Sequence, residues 1–431
     1  MRIRVIASVL TVAALAVGAC GNSENEGGSG DDGGGGGGGG TAVDQPGVTD
    51  TEIRVGGIAS LSNPIGVDTG AAFDGVKAYF EMINSEGGIY GRDLVLASER
   101  DDQLANNPQE VQALLSQDNV FAALPIATLL FTGADGLAEA GIPTFGWNVN
   151  AEWTGPENFF NQEGALCFTC AGQGLPWLAQ EIGATTVGLL AYNVPQSADC
   201  ATGVQNSFEN WPTAEVAFVD TSLSFGNTEY SSQVRQMIDE GVDLVATCMD
   251  QNGVLALSRE MNQQGLEAAQ YLPNAYDQAF MQEYADLFEG AYVRTRFAPF
   301  ESDPQPEGLQ QFVEWMEEIG AEPKELSYVG WIAADTFVTG LREAGEDFTQ
   351  ESVIAALNEM TDYDAGGILP GLDWTIQHQD PTNDPAARPE EDCFVVSQVS
   401  GGEFEVVFGD PFICFPTDED AELVTEPEAR S

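Results

Sequence analysis

The sequence has few basic residues: Lys and Arg together number 14, against 69 Asp and Glu, and the formal charge is −55 at pH 7. A chain so poor in cations cannot neutralise a phosphate backbone, so the composition excludes nucleic-acid binders that work by this route. Histidine is scarcer still, with His378 as the single example in 431 residues. Because imidazole is the commonest metal ligand and general base, we expect no metal, no cofactor and no catalytic activity.

The most apolar stretch of the sequence is too short to span a bilayer. Residues 5–17 are apolar, Arg2 and Arg4 precede them, and small residues lead up to Cys20. This pattern indicates an export signal over residues 1–19. Small residues directly before a cysteine resemble the bacterial lipoprotein processing site, which would make Cys20 the lipidated first residue of the mature chain. The alternative is an ordinary secretory signal peptide that is cut near the same place.

A glycine-rich segment, residues 20–49, follows and contains an unbroken glycine run at 33–40. Such a composition cannot bury a core, so we predict a flexible tether. A lipid on Cys20 would then hold a globular body at the extracytoplasmic face of the cell membrane. Acidic residues are spread along that body, which indicates a hydrated surface suited to high ionic strength. The acidic end of the chain, 416–431, is predicted to be a disordered tail.

Six cysteines follow Cys20, an even number that favours disulfides in an exported chain: Cys167, Cys170, Cys200, Cys248, Cys393 and Cys414. Cys167 and Cys170 form a CxxC, which could be a redox motif or half of a zinc site. The sequence has no second CxxC and no histidine partner, so we favour a structural disulfide. Cys393 and Cys414 flank two alternating runs that would pair as a hairpin and bring them together. Cys200 and Cys248 then remain.

Short apolar runs alternate with amphipathic segments from residue 52 onward. Strands are predicted at residues 53–58, 94–98, 120–124, 142–145, 186–192, 215–219, 243–247 and 291–297, with helices interleaved. This rhythm is typical of an α/β fold with doubly wound parallel sheets, and the break at 147–174 divides it into two lobes. In such sheets ligands bind beyond the carboxyl ends of the strands. Two facing sheets would form a cleft that closes by a hinge motion.

The segment that ends the first predicted helix carries a family resemblance. Residues 84–94 are Asn-Ser-Glu-Gly-Gly-Ile-Tyr-Gly-Arg-Asp-Leu, in which Gly87 and Gly88 would end a helix with positive φ and Gly91 would turn the chain into the next strand. The segment resembles the first helix and turn of the periplasmic leucine/isoleucine/valine-binding family, the substrate-binding proteins of ABC importers. The similarity extends over roughly residues 50–415. It implies a type I periplasmic-binding-protein fold, with two lobes joined by a three-strand hinge.

The resemblance also implies lobe boundaries and ligand contacts. The N-terminal lobe would comprise residues 50–150 and 301–370, and the C-terminal lobe 151–300 and 371–415. The family holds an amino-acid ligand with groups from both lobes, and the matching or adjacent positions here are Ala127, Thr128, Asn148, Asn150, Cys200, Asp250, Asp277 and Tyr328. The family's hydroxyl residues are replaced at two of these positions, so the resemblance implies the cleft without branched-chain specificity. It also places Cys200 beside Cys248, where a disulfide would stiffen the rim of the second lobe.

Three further positions are chosen by their place in the predicted fold. Trp147 directly follows a predicted strand, which favours the cleft, and Tyr276 could supply an aromatic wall. Ser62 lies in the loop after the first strand, where it is either a rim residue or part of a turn. The Thr128 hydroxyl could likewise be only a helix N-cap.

Two aspartates and two aromatic residues complete the candidate set. Asp250 and Asp277 would suit a solute with a positive or donor-rich group, since carboxylates form charge-assisted hydrogen bonds. Asp250 could also cap the helix that follows it. We expect Tyr328 at the edge of the cleft, whereas Trp331 lies on an amphipathic helix and is predicted to pack in the core.

Together these features predict an extracytoplasmic solute-binding lipoprotein of an ABC importer, which captures an amino acid or a similar small polar or amide solute by hinge closure. Its partners would be the small-molecule ligand, an ABC permease and, through the lipid anchor, the membrane. We expect a monomer without a nucleic-acid partner. The alternative is a ligand-sensing ectodomain of the same fold that signals through a partner protein. An enzyme is disfavoured because no nucleophile motif or dinucleotide-binding glycine fingerprint stands in the right context.

Overall fold

The computed structural model describes residues 43–63, 67–164, 166–273, 275–382 and 385–430. The predicted signal peptide, Cys20 and most of the predicted tether lie outside the described residues. The end of that tether is packed: Gly47 is buried, and Val48 forms an isolated bridge with Ile53. Within the described part of the chain, no helix is both long enough and apolar enough to cross a membrane.

The first lobe is built on a parallel sheet of five strands in the order β2-β1-β3-β4-β5. The strands are β1 (Glu52–Ala59), β2 (Asp93–Asp101), β3 (Ala122–Ala127), β4 (Thr144–Gly146) and β5 (Phe159–Asn161). The helices between them are α1 (Ala71–Ser85), α2 (Asn107–Ala113), which a π-helical turn at Leu114–Asp118 continues, and α3 (Ala134–Ala140). Gly87 and Gly88 follow α1 with φ of 105° and 70°, which confirms the predicted helix end.

The second lobe contains an eight-stranded sheet in the order β13-β12-β11-β10-β9-β8-β6-β7. Its parallel part comprises β6 (Thr186–Tyr192), β7 (Glu215–Leu223), β8 (Leu244–Cys248), β9 (Ala269–Tyr271) and β10 (Tyr292–Thr295). The antiparallel strands are β11 (Glu391–Ser400), β12 (Glu403–Pro416) and β13 (Glu428–Arg430). The helices are α4 (Gly174–Ile182), α5 (Pro195–Asn210), α6 (Ser231–Glu240), α7 (Gln251–Gln264), α8 (Gln278–Glu283) and α9 (Ala285–Phe288).

Three later helices return to the first lobe: α10 (Glu307–Glu318), α11 (Glu325–Ala344) and α12 (Gln350–Asn358). Helix α11 packs directly on α1, and Trp331 is 1% exposed there, which confirms its predicted place in the core. The chain therefore crosses between the lobes three times, after β5, after β10 and after α12. The two parallel sheets share one strand order, so each has a crevice between its first and third strands, where the direction of winding reverses.

The domain boundaries differ from the prediction in two places. Strand β5 pairs with β4, so the first sheet continues beyond the predicted boundary at residue 150. The tail predicted to be disordered, 416–431, instead carries β13, which pairs with β12. Two contacts explain this order: the Trp211 indole N–H donates to the Ala421 carbonyl at 2.9 Å, and the Val424 amide donates to the side-chain oxygen of Gln173 at 2.7 Å. An acidic composition thus did not prevent the tail from packing on the second lobe.

Candidate functional site

A cavity of about 350 Å³ lies beside the crossings, between the loop after β4 in the first lobe and the carboxyl ends of β8 and β10 in the second. Trp147 and Glu325 line it from the first lobe, and Thr247 and Arg294 line it from β8 and β10. All three crossings contribute wall residues, among them Phe297. The volume lies within the range of small-molecule sites, so the cavity can enclose a small solute.

Two arginines reach this cavity because of the alternation along β10. Val293 and Thr295 are buried on one face of the strand, so the intervening Arg294 points to the other face, and Arg296 follows directly after the strand end. Both arginine side chains line the cavity. Strand β11 runs antiparallel beside β10 and brings Asp392 to the same place.

Asp392 pairs with both guanidinium groups. Nη2 of Arg294 donates to the two carboxylate oxygens at 2.8 and 2.7 Å, and Nη2 of Arg296 lies 2.8 Å from Oδ1. Glu163, on the first crossing, is more distant, with Oε2 3.8 Å from Nε of Arg296. The guanidinium carbon of Arg294 also lies 4.3 Å from the centre of the Phe394 ring, a cation–π contact.

Burial shifts the protonation equilibria of the acids around the cavity. Burial alone would raise the pKa of Asp392, but the charges of Arg294 and Arg296 outweigh it and hold that pKa below its usual value. For Glu163 the balance is reversed, and burial raises the pKa despite the two arginines. Burial, together with the charges of Glu163 and Asp277, raises the pKa of Glu325 to about 8. At pH 7 Asp392 is therefore ionised, and Glu325 is mostly neutral.

Four buried polar atoms of residues that line the cavity have no hydrogen-bond partner within the described parts of the chain. They are Oδ1 of Asn148, Nε2 of Gln173, Oγ1 of Thr247 and Nε of Arg294. Asn148, Gln173 and Thr247 are at most 3% exposed, so bulk water does not reach them freely. Buried polar groups are normally paired, and an unpaired one costs about 1–3 kcal/mol. These atoms therefore mark positions where a bound solute can form hydrogen bonds.

Disulfides form part of the cavity wall. Cys167 pairs with Cys170 and Cys200 with Cys248, and these four residues line the cavity. Cys393 pairs with Cys414, directly across the β11–β12 ladder. The three predicted pairings are thus confirmed. Glu391 lies near Cys393 and Cys414 at a spacing that suits a metal ion, but the disulfide occupies both sulfur atoms.

Of the residues predicted to contact a ligand, the cavity is lined by Trp147, Asn148 and Cys200. Asn148 is held in place because its side-chain NH₂ donates to the Gly164 carbonyl, which leaves its oxygen free. Cys200 reaches the cavity from α5 through its disulfide with Cys248. Their contact with a ligand stays a prediction.

Four other predicted positions lie at or after the carboxyl ends of β1, β3 and β4, outside this cavity lining. Ala127 is the last residue of β3, and Thr128 follows it, both buried. The Asn150 side chain donates to the Thr128 carbonyl at 3.0 Å and accepts from Nε2 of Gln196 at 2.8 Å. Since Gln196 belongs to α5, Asn150 joins the two lobes. Ser62 is exposed, and its hydroxyl donates to Asp101 at 2.5 Å.

Both predicted aspartates are helix caps in the structure. Asp250 accepts from the amides of Asn252 and Gly253 at the start of α7, and its other oxygen accepts from the Tyr192 hydroxyl at 2.6 Å. Asp277 accepts from the Phe280 amide at the start of α8. The capping alternative for Asp250 is confirmed. Neither carboxylate lines the cavity, and a ligand contact by either stays a prediction.

Sequence comparison gives the family. The model of the periplasmic binding protein family matches residues 52–402, most of the chain. The chain belongs to this family. Its members are periplasmic binding proteins, which bind solutes outside the cytoplasm and are not enzymes, as the sequence predicted. No curated protein matches this periplasmic binding protein.

Solved structures share the fold of this periplasmic binding protein. A fatty acid ABC transporter substrate-binding protein from Thermomonospora curvata superposes with a TM-score of 0.70 at 19% identity, covering 88% of this chain and 96% of its own. A branched-chain amino acid ABC transporter protein from Thermus thermophilus with bound valine gives 0.66 at 18% identity, covering 83% and 96%. A solute-binding protein from R. palustris in complex with benzoate gives 0.66 at 16% identity, covering 83% and 95%. These likenesses confirm the type I fold with two lobes.

Two predicted aromatic contacts of this periplasmic binding protein are packed away from the cavity. Tyr328 is fully buried against Phe297 and Phe312, with ring centres 5.2 and 4.7 Å away, and does not line the cavity; its contact with a ligand stays a prediction. It faces inward because α11 is buried along almost its whole length. Tyr276 is 3% exposed, and its hydroxyl donates to Glu301 at 2.6 Å. It ties the loop after β9 to the second crossing and does not line the cavity.

Sequence reasoning missed the charged group of the cavity, which comprises Glu163, Arg294, Arg296 and Asp392. One signal was available. Arg294 and Arg296 stand two positions apart in a predicted strand, and hence on one face, in a chain with only 14 basic residues. No comparable signal marks Glu163 or Asp392, because acids are common throughout the sequence.

Proposed function

We propose that this protein is the solute-binding lipoprotein of an ABC importer and that it holds its solute in the cavity beside the crossings. It works as a monomer, anchored through a lipid on Cys20 at the outer face of the cell membrane, and delivers the solute to an ABC permease. Family membership supports the transport role. The observation that carries the assignment of the site is that residues from both lobes and from all three crossings line one cavity.

This arrangement couples solute binding to hinge closure. A solute in the cavity contacts Trp147 and Asn148 on the first lobe and Thr247 and Arg294 on the second only when the lobes are together. Contacts made in the closed form alone shift the population toward that form. Crossing segments that absorb the rotation are the usual hinge of such closures. The closed form is then the one that the permease recognises.

The solute in this proposal is an amino acid or a similar small polar or amide molecule. The similar structures hold or are named for different solutes: a fatty acid, valine and benzoate. One fold thus serves several ligands, so the side chains of this cavity select the solute.

Solute binding is expected to raise the melting temperature and reduce the dimensions of the protein. The purified protein is screened by thermal shift against amino acids, amides, polyamines and organic acids, and every hit is examined by small-angle scattering. A binding solute stabilises the folded state in proportion to the logarithm of its concentration above Kd. A smaller radius of gyration at saturation supports hinge closure. The proposal fails if no compound of the broad screen stabilises the protein, or if hits leave the radius unchanged.

Cys20→Ser is expected to release the protein from the membrane. The substitution removes the thiol that the lipid modifies, and a globular body without its acyl chains has no comparable hydrophobic anchor. The measurement compares the variant and the unchanged protein in membrane and soluble fractions of the producing cells. Ser23→Ala, slightly further along the same segment, is the control and should stay in the membrane fraction. Retention of the Cys20→Ser variant in membranes would contradict the lipid anchor.

A further inference from the structure

Cations are concentrated around the cavity although the chain has few of them. Three of the 14 basic residues, Arg294, Arg296 and Arg388, line it. Arg388 is engaged elsewhere, because Nη1 lies 2.7 Å from Glu419 and Nε donates to the Pro381 carbonyl. The other two arginines face the cavity together and share a single close carboxylate, Asp392. Two guanidinium groups beside one close carboxylate leave donor groups that this carboxylate does not occupy.

The hydrogen-bond donors of the two arginines also exceed their acceptors. Nε of Arg294 is buried without a partner in the described residues. Nε of Arg296 lies 3.8 Å from Glu163, too far for a hydrogen bond. An anionic solute would supply the acceptors that these donors lack. A guanidinium group presents its donors in a planar fork that matches the two oxygens of a carboxylate.

The neighbouring polar atoms extend the same site. Nε2 of Gln173 is an unpartnered donor, and the hydroxyl of Thr247 can both donate and accept. Both side chains are more than nine-tenths buried. Gln173 directly precedes α4, and Thr247 lies on β8. Ala246, Tyr271 and Tyr292 are in register across β8, β9 and β10, so Arg294 shares their face of the sheet and Thr247 lines the cavity from the opposite face, at the end of β8. The walls are otherwise largely apolar, with Leu175, Val204 and Phe297 among the lining residues.

The acidic residues of the cavity do not cancel its preference for an anionic solute. Asp392 is occupied by the two arginines. Glu325 has a pKa of about 8 and carries little negative charge at neutral pH. Burial raises the pKa of Glu163, and its carboxylate lies 3.8 Å from Nε of Arg296, so it does not occupy that donor. A second negative charge on the solute would meet Asp392 without a further cation, so a monoanion fits better than a dianion.

We propose that the cavity binds a small organic monocarboxylate, with its carboxylate between Arg294 and Arg296 and its apolar body against Leu175, Val204 and Phe297. This rests on the proposed function and specifies the polar group of the solute as a carboxylate, which an amino acid carries and a simple amide does not. The anion is held by side chains of the second lobe, on the strand nearest the second crossing. Gln173 then donates a further hydrogen bond to the carboxylate, and Asn148 accepts from any donor on the solute.

Matched compounds that differ only in the polar group test this proposal. The probes are 3-phenylpropionate, octanoate and the amino acid phenylalanine, together with the amide and the amine that correspond to each of the first two. Binding is measured by calorimetry and thermal shift on the purified protein. We expect carboxylates to bind at least about tenfold more tightly than their matched amides and amines, because a charged hydrogen-bonded pair contributes at least that much. An amide or amine that binds as tightly as its carboxylate overturns the proposal.

Single substitutions of the two arginines test where the anion binds. Arg294→Gln and Arg296→Gln are each expected to weaken carboxylate binding about ten- to a hundredfold. Arg259→Gln, which changes an exposed arginine on α7 of the same lobe, is the matched control and should leave affinity unchanged. If Arg294→Gln does not fold because Asp392 loses its main partner, carboxylate binding by Arg296→Gln still tests the proposal. Unchanged affinity in a folded Arg296→Gln variant overturns the proposal.

The two proposals fail in different ways. If amides, amines or other uncharged solutes stabilise the protein and carboxylates do not, the protein remains a solute-binding protein and the carboxylate assignment is wrong. If neither these probes nor the broad metabolite screen gives any stabilisation, the proposed function itself fails. Carboxylate binding that depends on Arg296 but leaves the radius of gyration unchanged supports the site and contradicts hinge closure.

Discussion

Gly330→Ala is expected to destabilise the protein by about 3 kcal/mol, because it forces apart two helices that touch through their backbones. A Cβ atom at Gly330 would stand 1.9 Å from the Ala72 carbonyl oxygen of α1. The contact is reciprocal, since a Cβ at Gly75 would stand 1.7 Å from the Ser327 carbonyl oxygen of α11. Neither oxygen belongs to a flexible side chain, so relief requires a shift of a whole helix. Urea unfolding measures the loss.

The opposite result would be informative, because alanine is the better helix former by about 1 kcal/mol. If close packing of α1 and α11 did not matter, Gly330→Ala would stabilise the protein. Gly70→Ala is the matched control at the start of α1. Its φ is −65°, and the nearest atom to a Cβ there lies 3.5 Å away, so we expect a change within about 0.5 kcal/mol. Equal stabilities of the two variants would contradict the packing argument.

Replacement of Cys200 and Cys248 by alanine is expected to cost about 4 kcal/mol of unfolding free energy. The disulfide closes a loop with a sequence separation of 48, and the chain-entropy model relates the stabilisation to that length. The same model gives about 2 kcal/mol for the Cys167–Cys170 pair, whose separation is 3. The two double variants can be compared by denaturant unfolding under identical conditions. Both disulfides border the cavity, so the comparison separates loop length from location.

The critical outcome is which of the two double variants loses more unfolding free energy. A larger loss for the Cys167→Ala, Cys170→Ala protein than for the Cys200→Ala, Cys248→Ala protein would show that native-state contacts outweigh loop closure. The Cys200–Cys248 pair also joins α5 to the end of β8, so its removal should lower the affinity for solute as the cavity wall loosens. Solute affinity of the folded double variant checks this second effect.

The fold was predictable because it depends on features that are local in sequence. The alternation of apolar runs and amphipathic segments gave the parallel sheets, and the glycines after α1 have the positive φ that a helix end requires. The hairpin that joins Cys393 to Cys414 followed from its two alternating runs. Even so, the acidic composition of the tail led to a wrong prediction, because the apolar Leu423 and Val424 pack on the second lobe.

The candidate site was predicted only in part. Trp147, Asn148 and Cys200 line the cavity, and position after a strand or a family resemblance had indicated each of them. The family resemblance placed Tyr328 at the edge of the cleft, whereas the structure packs it against Phe297 and Phe312 on a helix that is buried along almost its whole length. For Asp250, helix capping was recognised as an alternative, and the cap is what the structure contains. Capping depends on residues two and three positions away, which a sequence shows directly.

From the sequence by itself, short-range periodicity determined the doubly wound architecture, and a family resemblance indicated the family and placed Cys200 beside Cys248. The export signal, inferred from composition, stays a prediction. The tertiary structure alone decided the chemistry of the cavity. Glu163, Arg294 and Asp392 are far apart in the chain and meet only because β10 and β11 pair in one register and a crossing segment passes beside them. The charge balance of that meeting depends on burial and on distances of a few ångströms, which no local pattern specifies.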